Sequence, residues 1–224
     1  MVDSPAPALP RHQPVRSRAT STLDALLKSA ALIVHSVGAE RLTSELVGIG
    51  SGYSIGTVYR YFLNRLHILD ALSQQNMDRF VKDCLPSITP RRHSTWLDAF
   101  TSVLDYFELE FATRPGFRSI RFGDHLDSRI GARNQTNIAR AASIFASTLG
   151  DNYPAIVGTA VLERIEVALL IHDSLLARAF AHSDLGDTRL IADSRQVAIS
   201  YLTALDPTWL APGSTAPKEP LASS

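Results

Sequence analysis

One stretch constrains the fold of this chain more than any other: Gly52-Tyr53-Ser54-Ile55-Gly56-Thr57-Val58-Tyr59-Arg60-Tyr61-Phe62. It reads as a tight turn followed by a short helix. Ser54 is a good N-cap, because its hydroxyl accepts from the orphan N–H groups of a first helical turn. Gly52 stands two residues earlier, where a turn between helices needs positive φ. Ile55, Val58 and Phe62 recur at i, i+3 and i+7, so this spacing predicts one face docked on a small core. Gly56, Thr57, Arg60 and Tyr61 fall on the other side. A helix lying in a DNA groove needs such groups for phosphates and base edges.

This stretch resembles the helix-turn-helix of the TetR family of transcriptional regulators, which typically reads A-G-V-S-x-G-T-x-Y-x-x-F. The chain reads Ser51-Gly52-Tyr53-Ser54-Ile55-Gly56-Thr57-Val58-Tyr59-Arg60-Tyr61-Phe62 at the same place. The resemblance at motif level runs from about residue 21 to about 72. It implies a homodimeric repressor that releases a palindromic operator when a small molecule binds. It also implies a DNA-contacting set of Thr43, Ser54, Ile55, Gly56, Thr57, Tyr59, Arg60, Tyr61 and Arg65. In that set Gly56 permits close backbone approach, while Val58 and Phe62 hold the helix down. Three positions depart from the family. Ile55 replaces a frequent Lys or Arg, and either meets a thymine methyl or packs in the core. Gly48 stands for the usual Ala, and Leu63 for the usual Pro.

Charge supports the division. The chain is neutral overall, with 22 basic and 22 acidic residues. Residues 1–65, however, carry a net +3 and the remainder −3. A modestly basic end on an acidic body suits a small DNA-binding head. Residues 1–20 hold four of the twelve prolines and read as an unstructured arm; its Arg11, Arg16 and Arg18 belong either to a solvated tail or to an arm that touches phosphates or a minor groove. Ser21 and Asp24 predict the start of a first helix that Gly38 ends. Thr43 caps a second, short helix from Ser44 to Gly50. Its apolar residues are Leu46, Val47 and Ile49, and its interior glycines each cost about 1 kcal/mol. Asn64 caps a fourth helix from Arg65 to Leu85, with Arg65 set for a phosphate. The head is therefore expected at 21–63.

The body, expected at 64–206, reads as helices throughout, so the fold class is all-α. A fifth helix over Thr95–Thr113 carries an aromatic stripe of Trp96, Phe100, Val103, Leu104, Phe107 and Phe111. That stripe is core or, in part, the wall of an apolar pocket. Trp96, Phe100, Phe107, Phe122 and His125 form the candidate pocket, for a small and mostly apolar effector. A short helix over Phe117–Phe122 and a seventh over Ser128–Leu149 follow, then a loop at 150–154. Two long apolar helices at Ala155–Ala181 and Asp187–Leu205 have more than one face to bury. They predict a homodimer through the last two helices, with Val197 and Leu202 as candidate contacts. Residues 207–224 read as an unstructured tail.

Chemistry motifs are few. Cys84 is the only cysteine, which rules out an intrachain disulfide. None of the seven histidines has metal-ligand spacing, and no cofactor is expected. His125 and His172 lie in body segments that could approach each other in the fold, as core or surface histidines or as ligand contacts. Gly52-Tyr53-Ser54-Ile55-Gly56 also matches G-x-S-x-G, the nucleophile elbow of α/β-hydrolases. That chemistry needs a strand before the serine, and the preceding residues have no strand period. A helical interaction module without DNA affinity is a further alternative. No segment has the run of about 18 apolar residues that a membrane helix needs. No signal peptide is evident, and a cytoplasmic protein is expected.

Overall fold

The computed structural model describes residues 14–121, 137–153 and 159–204. Among them the regular structure is entirely helical. Helices α1 (Pro14–Val37), α2 (Ser44–Ser51) and α3 (Ile55–Tyr61) form the head with the first half of α4 (Arg65–Arg79). Helices α5 (Trp96–Thr113), α6 (Phe117–Ile120), α7 (Asn137–Asn152), α8 (Thr159–Ala179) and α9 (Thr188–Ala204) belong to the body.

Helix α1 starts at Pro14 rather than Ser21, so residues 14–20 are helix and not part of an unstructured arm. Proline is well suited to a first helical position, where its missing N–H is no loss and its ring presets φ. The added turns pack beside α3: the Tyr61 hydroxyl donates to the Ala19 carbonyl at 3.3 Å. Residues 1–13, with Arg11, lie outside the described part.

Side chains set the helix starts. Thr43 Oγ1 accepts from Leu46 N at 3.1 Å, and Asn64 Oδ1 accepts from His67 N at 3.1 Å. Thr95 and Asp98 close a reciprocal capping box on α5. Helix α4 does not stop at Arg79. It continues through a π turn over Phe80–Cys84 into a 3₁₀ turn over Leu85–Ser87.

Two buried clusters organise the packing. The head core joins Leu26, Ala30 and Val34 of α1 to Val47, Val58 and Phe62, and adds Ile68, Leu69 and Leu72 of α4 and Ile120 of α6. The head thus reaches past residue 63. The body core is built on Phe80, Phe100, Phe107, Phe111, Phe117 and Phe145, packed on α7, α8 and α9. Helix α4 contributes to both clusters, and so does α6.

Several body boundaries differ from the expected ones. Helix α7 runs through Gly150 to Asn152, where a loop was expected. Its end is tied down by Tyr153, whose hydroxyl donates to the His93 carbonyl at 2.8 Å. Residues 128–136 and 154–158 lie outside the described part. Helices α8 and α9 pair across the 180–187 connection and pack closely. Ile165, Ala168, Leu169 and Leu176 of α8 are buried in this body, whereas Val167 and Leu170 are exposed. On α9, Leu202 is buried in the protomer's own core and Val197 is 45% exposed. Leu202 is therefore not a surface contact, because its turn of α9 faces the body. No helix among the described residues is long and apolar enough to cross a membrane.

Candidate nucleic-acid interface and its link to the body

The α2–turn–α3 unit is held by backbone geometry. Gly52 takes φ 75°, the left-handed conformation that ends α2, and Tyr53 N donates to Gly48 O at 3.1 Å. Ser54 Oγ then accepts from Thr57 N at 3.2 Å and starts α3. The same hydroxyl lies 3.0 Å from Thr57 Oγ1. Val58 and Phe62 are buried and seat α3 on the head core.

The glycines of α2 have steric reasons. A Cβ at Gly48 would stand 3.0 Å from the Tyr53 carbonyl oxygen, and one at Gly50 would stand 2.5 Å from Ser29 Oγ. Ser29 Oγ itself donates to the Val47 carbonyl at 3.2 Å, locking α1 to α2. The propensity cost of each glycine is thus exchanged for a close helix approach. Gly56 is different. A Cβ there would meet only Ser54 Oγ, at 3.9 Å, so nothing within the head demands a glycine.

Ile55 corrects the sequence reading: it is 46% exposed and does not dock on the core. The helix has only two turns, and Val58, with Phe62 just past its end, is its buried contribution to the head core. Leu46 and Ile49 of α2 are likewise exposed, and Val47 alone of that trio is buried. Tyr59 is 52% exposed. Arg60 is exposed, with its guanidinium 5.6 Å from the Tyr61 ring centroid. Tyr61 is half-buried, held by Ala19 and by the Phe62 ring. Arg65 donates from Nη1 to the Glu40 carbonyl at 2.6 Å, which pins α4 to the turn before α2. One end of its fork is therefore structural. Thr43 acts as a cap. The outward surface of α3 consists of Ile55, Gly56, Tyr59 and Arg60, with Ser54 and Thr57 at its edge.

Sequence reasoning missed the link between head and body. Gly116, at φ 76°, approaches α1 so closely that a Cβ there would lie 2.8 Å from the Ala31 carbonyl oxygen. Four residues of α6 then place Phe117 in the body core and Ile120 in the head core. Arg121 follows at φ 47°, rare for a non-glycine residue. Its carbonyl accepts from Asn76 Nδ2 of α4 at 2.6 Å, and its guanidinium pairs with buried Asp173 of α8 at 3.2 Å. Arg118 adds bonds to the Phe111 and Asp184 carbonyls and lies over the Phe180 ring. Beside this junction an open cleft of about 720 Å³ separates His35 and Ser36 of α1 from Phe180 and His182. The only sequence signal here was Pro115-Gly116, which marks a break but not what it touches.

The candidate effector residues fall in two groups. Phe100 and Phe107 are enclosed in the body core, against Phe145 and against Phe80 and His172 respectively. Trp96 is half-buried at its edge. Phe122 and His125 lie outside the described residues, so His172 is placed without its expected neighbour. His172 is fully buried, with Nε2 3.3 Å from the Leu104 carbonyl and Nδ1 3.0 Å from Ser194 Oγ. Burial pushes its pKa down to about 4, against its hydrogen bonds. Burial likewise pushes the Cys84 thiol up to about 12, so this cysteine is unreactive.

A family model described as "Tetracyclin repressor-like, C-terminal domain" matches residues 94–205, half of the chain. This chain belongs to the TetR family of transcriptional regulators. A TetR-family transcriptional regulator from Streptomyces coelicolor is similar over 84% of this chain and 99% of its own, with 26% identity and a TM-score of 0.70. SmeT, the repressor of the Stenotrophomonas maltophilia multidrug efflux pump SmeDEF, shares the fold at 18% identity. Its TM-score is 0.59, over 88% of this chain and 97% of that one. A structure of SmeT with triclosan matches at 19% identity and a TM-score of 0.53, over 89% and 99% of the two chains. No curated protein matches the sequence. A TetR-family regulator is not an enzyme, and Ser54 has the local role of a helix cap. No strand precedes it among the described residues.

Proposed function

We propose that this TetR-family protein is a homodimeric repressor that binds a palindromic operator through α3 and releases it when a small, mostly apolar molecule binds the body. One observation carries this reading: α3 is anchored by Val58 and Phe62 while Ile55, Gly56, Tyr59 and Arg60 project from the molecule. A two-fold dimer through α8 and α9, with Val167, Leu170 and Val197 at the contact, places two heads on one face of the duplex. SmeT, which shares the fold, has been captured in a complex with triclosan, and this supports a small-molecule effector.

The effector site is proposed beside Trp96, Phe100 and Phe107, with Phe122 and His125. Because Phe100 and Phe107 are fully enclosed, a ligand there opens the body core rather than filling a surface groove. That expansion has two routes to the head: α4, shared by both cores, and α6, with one residue in each. A shift of a few ångströms spoils the ~34 Å spacing of successive major-groove faces. Effector and operator then antagonise each other reciprocally.

The test is fluorescence anisotropy of duplex DNA from the region flanking the coding sequence, at several salt concentrations. The expected result is specific, strongly salt-dependent binding of a dimer, weakened by Arg60→Ala. Salt-independent or absent binding sinks the reading. Trp96→Ala is the cleaner pocket probe, because truncating Phe100 or Phe107 removes core volume.

A further inference from the structure

The outward face of α3 is unusual for a surface meant for DNA, because its leading side chain is aliphatic. Ile55 is 46% exposed, and Tyr59, four residues on and on the same face, is 52% exposed. Between them Gly56 contributes no side chain and leaves open space above the backbone. Hydrogen bonds within the head engage the polar groups nearby: Ser54 with Thr57, and Tyr61 with Ala19. Arg60, the cation of this helix, lies one residue round with its guanidinium near the Tyr61 ring. The side-chain surface at Ile55 and Gly56 therefore offers no hydrogen bond and no charge.

Such a patch discriminates among bases in one way. The major-groove edges of guanine, cytosine and adenine present only donors and acceptors, whereas thymine adds an apolar C5-methyl group. An isoleucine pressed on a donor or acceptor desolvates it without a partner, which is unfavourable. Pressed on a methyl group, it removes apolar surface from water. Ile55 has no packing role that explains it, since Val58 and Phe62 hold the helix. Gly56 lets the backbone come close enough for a short aliphatic side chain to reach a base edge.

We infer that Ile55 reads a thymine methyl in each operator half-site. The inference rests on the proposed DNA-binding function and adds the base class that this residue selects. The experiment locates the operator by footprinting, then replaces each thymine of the footprint by uracil, which removes the methyl and keeps the pairing edge. Affinity is measured by anisotropy at fixed salt for the wild-type protein, Ile55→Ala and Ile55→Val, each checked for an unchanged melting temperature.

One thymine at symmetry-related positions is expected to matter to the wild-type protein. Loss of one buried methyl contact corresponds to about fourfold in affinity per half-site. Ile55→Ala binds the thymine and uracil operators at that position equally, and Ile55→Val keeps part of the preference. If the wild-type protein binds its operator specifically but every uracil effect persists in Ile55→Ala, the thymine assignment is overturned while the DNA-binding function stands. If no duplex is bound specifically, both are overturned.

Discussion

The two cores of this protein are built differently. The head core is largely aliphatic, drawn from Leu26, Ala30, Val34, Val47, Val58 and Ile68, and its helices meet at glycines. The body core is a stack of phenylalanines that also encloses His172, Glu110 and Asp173. In the head, α2 lies close against α1 at Gly50 and against the turn before α3 at Gly48. The body, with its large apolar rings, is the part proposed to admit a ligand. On the proposed function the first would carry the reading surface and the second the sensor, joined through α4 and α6.

The strongest challenge to this contrast is to remove the charge balance of the body. Asp173 and Arg121 form a pair with side chains 3% and 12% exposed. Asp173→Ala removes the carboxylate that pairs with a buried guanidinium, and should cost about 3–5 kcal/mol of stability in urea titration. A loss under ~1 kcal/mol would place the pair outside the energetics of the body.

Acid should loosen the same core. His172 has a pKa of about 4 in the folded chain against its ordinary 6.5, so the fold holds the neutral ring. The unfolded chain takes up the proton first as pH falls. The stability tied to this group is full above pH 6.5, declines between 6.5 and 4, and levels off below. Its full size is on the order of 3 kcal/mol. His172→Gln should flatten that part of the pH profile, and a difference curve parallel to wild type across the window would exclude the residue.

A smaller effect is expected at the junction. Gly116→Ala puts a Cβ at positive φ and 2.8 Å from the Ala31 carbonyl, for a loss of about 1–3 kcal/mol. If α6 couples the parts, operator affinity falls as well, even at temperatures where the variant is fully folded. Unchanged affinity would leave α4 as the sole route.

The smallest effect sharpens the account of the head. Gly50→Ala should cost about 1 kcal/mol despite its better helix propensity, because its Cβ meets Ser29 Oγ. In a Ser29→Ala background the same change should be neutral or stabilising. A stabilising effect in the wild-type background would mean that α1 and α2 yield easily.

Much of this architecture was legible in the chain itself. Caps at Thr43, Ser54 and Asn64, the left-handed turn at Gly52 and the inward aromatic face of α5 were all readable. These are decided by neighbours within about four residues, where hydrogen bonds and the 3.6-residue period act. The sequence could not show that Ile55 stays outside the core, that Leu202 turns inward, or that helix persists to Pro14. Each depends on what a distant segment has already filled or offered: Phe62 and Val58, the body under α9, and Tyr61 beside Ala19. The same holds for α6. A run of four residues that puts Phe117 into one core and Ile120 into the other is defined by two surfaces far apart in the chain, and neither exists until the tertiary structure has formed.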